Sequence, residues 1–217
     1  MRMEKLGVIT DEVSSNLVEA MDWIADQGLG HVEIRMVNRK NVSQLSDDQA
    51  DWVRRQVESR GLYVSAVASP IFKCALDPTR PVASGDTFGN DEESVERHFA
   101  KLHRMIAIAK RLGTSKIRIF SFWREQEPEK YKAEIIGHLR LAAAIAEQND
   151  VKLLLENENS CNGGSAKEVA DYVRAVNSPC LRALWDPGNE ACNGLTAYPD
   201  GYNHVKELLA HVHIKDA

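Results

Sequence analysis

A short apolar run that ends in carboxylates and amides constrains this chain more than any other feature. Residues 151–159 read Val-Lys-Leu-Leu-Leu-Glu-Asn-Glu-Asn. A strand inside a parallel sheet is buried on both faces, so it reads as a continuous hydrophobic run, and its polar residues collect where it leaves the sheet. The run therefore predicts a buried parallel strand over 151–156, with Glu156 at its carboxyl end.

Two later stretches repeat this design. They read Leu-Arg-Ala-Leu-Trp-Asp over 181–186 and His-Val-His-Ile-Lys-Asp over 211–216. They place Asp186 and His213 at or near the polar end of a strand, about one strand–helix unit apart along the chain. Because neighbouring parallel strands lie roughly 4.8 Å apart, we expect Glu156, Asp186 and His213 to converge on one face of the sheet.

The spacing of apolar runs along the 217 residues predicts the fold class. Strands are expected to begin near residues 6, 31, 62, 116, 151, 181 and 211, the sixth covering 181–185 and the seventh 211–215, with amphipathic helices between them. The pattern Ser-Asp-Asp-Gln over 46–49 predicts a capping box at the start of one of these helices. Seven such units predict an α/β fold of the (β/α)8 TIM-barrel type, forming a single domain over 1–217. A doubly wound open sheet is the alternative, but no Gly-rich phosphate turn follows the first strand.

Two expectations follow from this strand count. A closed barrel needs an eighth strand, so the chain is predicted to be truncated after the seventh, and the natural gene product to continue for about 40 residues. The long segment 69–90 contains three prolines and interrupts the rhythm of the repeats. Loops of that length usually serve binding or closure, so we expect it to form a rim or lid over the pocket.

Composition excludes several classes of function. The net charge of −5 is spread along the chain, which disfavours nonspecific binding of nucleic acid. No window approaches the ~20 apolar residues of a membrane span, and the N-terminus lacks the apolar core of a signal peptide. The four cysteines form no CxxC pair. These features predict a cytoplasmic protein with reduced thiols, no membrane partner and no nucleic-acid partner.

The chemistry of the three strand ends predicts a metal site. Two carboxylates and an imidazole make a mixed oxygen and nitrogen donor set that suits Mn²⁺, Mg²⁺, Co²⁺ or Zn²⁺. Taken singly, a strand-end glutamate is more often a cap or ion-pair partner, and a lone histidine is more often a core residue. Three such residues at matching depths on consecutive strands favour a shared site.

The motifs Leu-Leu-Leu-Glu-Asn-Glu, Leu-Trp-Asp-Pro-Gly-Asn and His-Val-His-Ile-Lys-Asp-Ala resemble the fifth, sixth and seventh strand motifs of the xylose isomerase-like TIM-barrel superfamily, the sugar-phosphate isomerase/epimerase group. His-Val-Glu-Ile-Arg at the second strand and Val-Ala-Ser-Pro-Ile-Phe-Lys at the third agree with it. The resemblance spans essentially the whole chain. It is specific for the superfamily and poorly specific for the substrate.

The resemblance implies a divalent metal held by Glu156, Asp186 and His213, with a fourth ligand, a glutamate, on the eighth strand. It also implies that Glu156 is one member of an acid/base pair. Two positions depart from the ketose epimerases of this group. A substrate-binding histidine there is Asn189 here, and a glutamate six residues after the first ligand is Asn162 here. These departures argue against a free-ketose epimerase.

Elementary mechanism agrees with these roles. A metal chelated by a sugar's carbonyl and adjacent hydroxyl acidifies the neighbouring C–H, and a carboxylate such as Glu156 moves the proton. Asn189 is predicted to bind the substrate. Lys215, Glu33 and Trp123 are predicted pocket residues that orient hydroxyls or form an apolar wall. Their alternative roles are a surface salt bridge, a barrel-core ion pair and core packing, respectively.

The sequence thus predicts a metal-dependent isomerase or epimerase (EC 5 class) of carbohydrate metabolism. Its substrate is expected to be a sugar, a sugar phosphate or a related small hydroxy-carbonyl compound, and a homo-oligomer is compatible with the sequence. A dehydratase (lyase) of the inosose or dehydroshikimate type on the same scaffold is the alternative. A DNA-repair endonuclease relative is disfavoured, because its three-zinc cluster needs further ligands where this chain has Ser69-Pro70 and Phe122-Trp123. A non-catalytic sugar-binding barrel is the remaining alternative.

Overall fold

Seven strands form one sheet whose order follows the chain. The structure is a computed structural model, and it describes residues 3–215. The strands hydrogen-bond in sequence, and the pairs β1–β2, β2–β3, β5–β6 and β6–β7 are parallel. They are β1 (Met3–Ile9), β2 (Leu29–Ile34), β3 (Tyr63–Ile71), β4 (Lys116–Ile119), β5 (Lys152–Glu156), β6 (Leu181–Trp185) and β7 (Leu209–Val212). Sequential strands with helices between them are the arrangement of a TIM barrel through its seventh strand, which confirms the predicted fold class.

The chain divides into two compact units, and β3 and β4 run through both. The first unit comprises the residues up to Ser69 together with Phe88–Asn90 and His103–Ile117. It contains β1, β2, helices α1 (Thr10–Val13), α2 (Leu17–Asp26) and α3 (Asp47–Glu58), and a short hairpin of Met36–Val37 and Lys40–Asn41. Helix α3 begins with the predicted capping box, in which Ser46 and Gln49 bind each other's backbone N–H.

The second unit comprises Pro70–Thr87, Asp91–Leu102 and the residues from Arg118 onward. It contains β5, β6 and β7. Helix α4 (Val95–Leu112) is divided between the units, whereas α5 (Pro128–Gln148), α6 (Ala166–Val176), α7 (Pro187–Cys192) and α8 (Tyr202–Val205) lie wholly in the second. Helix α5 turns its small and apolar side chains inward, as its periodicity predicts. These are Ile135, Leu139, Ala142, Ala143 and Ala146.

Strand boundaries differ most from the sequence prediction at β7. The predicted seventh strand covered 211–215, but β7 is Leu209–Val212, so that boundary was wrong. The reason lies in its partner strand, because Ala183 of β6 pairs with Leu209 and Leu184 pairs with His211 across a register shift. His213 follows the strand directly, and its backbone N–H still donates to Trp185 O at 3.0 Å. The strand thus begins and ends earlier than predicted, but His213 still lies at its carboxyl end.

Part of the long segment 69–90 is bound to residues that follow β4 in the second unit. Arg80 donates to the buried carboxylate of Glu125 at 2.8 Å, and Ala83 N donates to Arg124 O at 2.8 Å. These contacts tie residues 80–83 to the exit of β4. A role of residues 69–90 as a rim or lid stays a prediction.

All four cysteines are free thiols, as the sequence predicts. Among residues 3–215 we find no helix with the length and apolar character that a membrane span needs.

Candidate metal centre

Three predicted ligands converge in the second unit. Glu156 ends β5, Asp186 follows β6, and His213 follows β7. One potential ligand atom from each of them lies within 4.8 Å of the other two. Both carboxylates are buried, with 3% residue exposure each, and His213 is half-buried. The parallel strands thus bring together residues that are about 30 positions apart in sequence.

Glu156 is held between two donors. Its Oε1 lies 2.8 Å from His213 Nδ1, and its Oε2 lies 3.3 Å from a guanidinium nitrogen of buried Arg118. Burial by itself would raise the pKa of Glu156. The charge of Arg118, then contact with His213 and the charge of Lys73, outweigh burial and lower that pKa to about 2. Glu156 is therefore an anion throughout the physiological pH range, the state that a metal ligand requires.

Asp186 is fixed by its own chain and by Asn157. Its Oδ1 accepts from Asn189 N at 2.9 Å, which makes Asp186 the N-cap of α7. Asn157 accepts from Asp186 N at 2.8 Å and donates to Asp186 O at 2.9 Å. The amide of Asn157 thus continues the β5–β6 pairing one step beyond the strands.

The structure places the predicted residues Asn189 and Lys215 beside Asp186. Lys215 Nζ donates to Asn189 Oδ1 at 2.6 Å and lies 3.3 Å from Asp186 Oδ2. Asn189 Nδ2 donates to Asn157 O at 2.7 Å. The amide of Asn189 is therefore tied on one side to Asn157 and presents its oxygen to the ammonium of Lys215.

Trp123 and Glu33 are both buried. Trp123 belongs to the second unit and is 3% exposed, and its Nε1 donates to Glu92 Oε2 at 2.9 Å. Glu33 lies on β2 in the first unit and is buried. Their predicted contact with a substrate stays a prediction.

Sequence reasoning missed two buried cations of the second unit. Arg118 lies on β4, in the run Lys-Ile-Arg-Ile. Lys73 follows β3; its Nζ donates to Asp86 O at 3.0 Å and lies 3.5 Å from Glu158 Oε2. A charged residue inside a buried parallel strand needs a buried partner, so Arg118 could have been recognised from that rule. Lys73 lies in a loop and gives no such signal.

Asn162, one of the two departures noted above, has a structural role. Its Nδ2 donates to Ser121 O at 3.0 Å and to Trp123 O at 2.9 Å, and its Oδ1 accepts from Glu125 N at 3.0 Å. The residue is fully buried. Its amide is thus committed to the backbone that leaves β4.

The donor set fits a divalent cation. Two buried carboxylates, one of them an anion held by Arg118, face an imidazole at distances that a single ion could span. The oxygen-rich composition suits Mn²⁺, Mg²⁺, Co²⁺ or Zn²⁺ without selecting among them.

A model of the xylose isomerase-like TIM barrel family matches residues 21–217. This chain therefore belongs to the xylose isomerase-like TIM barrel family, and the resemblance read from the strand-end motifs is confirmed. A search of curated proteins returned no significant match.

Solved structures share this fold at low sequence identity. A D-psicose 3-epimerase studied in the presence of D-fructose is 14% identical, with a TM-score of 0.69 over 96% of this chain and 72% of that chain. The probable 3-DHS dehydratase AsbF of Bacillus anthracis is 15% identical, with a TM-score of 0.71 over 96% and 72%. A family protein of Mycobacterium smegmatis in complex with magnesium is 17% identical, with a TM-score of 0.67 over 91% and 65%. At these identities the likeness shows the fold alone.

Proposed function

We propose that this protein is a metal-dependent isomerase or epimerase of a sugar or a related hydroxy-carbonyl compound. The observation that carries the proposal is the convergence of Glu156, Asp186 and His213, whose ligand atoms lie within 4.8 Å of one another. The similarity to structures of epimerases supports the reaction class. The closeness of Asn189 and Lys215 to Asp186 supports a pocket with polar groups for substrate oxygens.

The proposal assigns a role to each residue. Glu156, Asp186 and His213 would hold the cation, which when bound supplies Lewis acidity to a substrate carbonyl and its neighbouring hydroxyl. Lys215 would donate a hydrogen bond to a substrate oxygen. Asn189 would position Lys215 through its Oδ1. Asn157 would keep Asp186 in place through its two backbone bonds.

The surroundings of Glu156 support one of its two predicted roles better than the other. A pKa of about 2 keeps the carboxylate ionised, as a ligand must be, but makes it a weak proton acceptor at neutral pH. Arg118 makes the largest single contribution to lowering this pKa, and together with His213 and Lys73 it outweighs the effect of burial. We therefore assign Glu156 primarily as a ligand. Its role as the base depends on how far a bound substrate weakens the contact with Arg118.

A dehydratase is the second candidate, and the similarity to the probable 3-DHS dehydratase favours retaining it. Both reactions begin by removing a proton from the carbon next to a carbonyl. They differ in the following step, because a dehydratase expels a hydroxyl group and an epimerase returns the proton.

The test is solvent exchange with a substrate panel. The protein is loaded with Mn²⁺ in D₂O and incubated with ketoses, inososes and hydroxypyruvate, and deuterium uptake at the carbon next to the carbonyl is followed by NMR. An isomerase or epimerase should give deuterated product without loss of water, whereas a dehydratase should give an enone that absorbs in the ultraviolet. Asp186→Asn is the matched control and should abolish exchange. Metal-loaded protein that exchanges no member of the panel would count against the proposal.

A further inference from the structure

The two carboxylate oxygens of Asp186 have different neighbours. Oδ1 is committed to the N-cap bond from Asn189 N at 2.9 Å. The other oxygen, Oδ2, lies 3.3 Å from Lys215 Nζ. Lys215 therefore contacts the oxygen of Asp186 that the N-cap bond does not use.

The local backbone is built to bring Lys215 to this position. Gly188 lies on the first turn of α7 beneath the lysine side chain. A Cβ added at Gly188 would come within 2.7 Å of Lys215 Cγ, so any larger residue there would displace the lysine stem. Asn189 Oδ1 then accepts from the ammonium at 2.6 Å. Gly188 thus leaves space for the Lys215 side chain, and Asn189 accepts a hydrogen bond from its ammonium group.

We propose that Lys215, positioned by Gly188 and Asn189, is a tethered cation that competes with the metal for Asp186 Oδ2 and so determines the metal affinity of the site. The inference rests on the proposed function, because it takes Asp186 as a metal ligand. Lys215 is a positioning residue in this role. It neutralises Asp186 until a divalent ion is bound, and its ammonium then becomes available for a substrate oxygen. The side chain of Lys215 is 47% exposed, so it can leave Asp186 without disturbing the core.

The experiment measures binding of Mn²⁺ alone to the metal-free full chain by isothermal titration calorimetry. Lys215→Met removes the competing charge and keeps much of the side-chain volume. Lys215→Arg keeps the charge. Lys206→Met is the matched control, since it removes one positive charge from an exposed lysine whose polar contact is the neutral side chain of Asn203. Asp186→Asn identifies the part of the binding that belongs to this site.

The Lys215→Met variant should bind Mn²⁺ about tenfold more tightly, because a unit charge a few ångströms from a ligand, even partly screened by solvent, opposes a second cation. Lys215→Arg and Lys206→Met should stay within about twofold of the wild type. Binding that depends on Asp186 but is equal in wild type and Lys215→Met, or weaker in Lys215→Met, would overturn the inference and leave the proposed function standing. Absence of any binding that depends on Asp186 would overturn both.

Discussion

Replacing Asn162 with alanine should destabilise the protein, and the structure gives the size of the effect. Three backbone groups lose a partner at 3.0 Å or less, namely Glu125 N–H, Ser121 C=O and Trp123 C=O. Phe122 O loses only a contact at 3.4 Å and keeps its bond from Asn162 N. The N–H has one hydrogen to donate and loses its acceptor, at a cost of about 1–3 kcal/mol for an unsatisfied buried group. The two carbonyls lose a donor each, at roughly 1 kcal/mol apiece. Their sum predicts a loss of about 3–5 kcal/mol in the free energy of unfolding, a large part of the ~5–15 kcal/mol that stabilises a domain.

The assay is urea unfolding followed by circular dichroism, with Mn²⁺ titration of the folded variant in parallel. Asn203→Ala is the control, since that side chain is exposed and its loss should change stability by less than about 0.5 kcal/mol. Asn162→Asp is a second test, because its carboxylate can still accept from Glu125 N–H but cannot donate to Ser121 O and Trp123 O. It should be destabilised at pH 7 and should partly recover as the pH falls and the carboxyl group gains a proton. A loss below about 1 kcal/mol in Asn162→Ala would refute the reasoning, and so would wild-type stability combined with altered substrate preference.

Three further predictions concern the metal, the pH dependence and a buried ion pair. Asp186→Asn and His213→Ala should each markedly lower the metal content found after mild purification, and unchanged content in both would reject the ligand assignment. Burial lowers the pKa of His98 from 6.5 to about 4, with a smaller contribution from nearby Lys101. As the pH falls, His98 therefore gains its proton in the unfolded chain before it does so in the folded protein. About 3 kcal/mol of the free energy of unfolding is lost between pH 6.5 and pH 4 for this reason. His98→Gln should flatten that part of the profile of unfolding free energy against pH, and an unchanged slope would contradict the prediction. Arg80→Met should cost about 3 kcal/mol in urea unfolding by leaving the Glu125 carboxylate buried without its charge partner. Glu125→Gln in the same chain should recover part of the loss, and equal stability of all these variants would contradict the pairing.

Most of the sheet and the convergence of Glu156, Asp186 and His213 could be predicted from the sequence, because the signals are local. β6 has the predicted bounds of 181–185, and the predicted capping residue Ser46 does begin α3. Glu156 and Asp186 could be placed because each directly follows an apolar run of its own strand. Their convergence then follows from the spacing of parallel strands.

Other features depend on partners that the sequence does not name. The bounds of β7 are set by pairing with β6 across a register shift, which the apolar pattern of residues 208–214 cannot reveal. The short hairpin after β2 escaped prediction because its two strands have only two residues each. The pairing of Arg118 with Glu156 requires the register between strands that are about 35 residues apart in sequence.

The candidate ligands Glu156 and Asp186 are held in place by residues close to them in sequence. Asn157 follows one ligand directly in sequence and binds the backbone of the other through both its amide oxygen and its amide nitrogen. Asp186 in turn begins α7, and the same turn supplies Asn189 for Lys215. The two carboxylates are thus linked through a few short bonds that do not involve a bound ion. A ligand set fixed in this way loses little conformational entropy when a cation binds, so its affinity depends chiefly on the charges nearby. Arg118 and Lys73 beside Glu156, and Lys215 beside Asp186, are such charges. Variants that change metal affinity are therefore expected among the cations as well as among the candidate ligands.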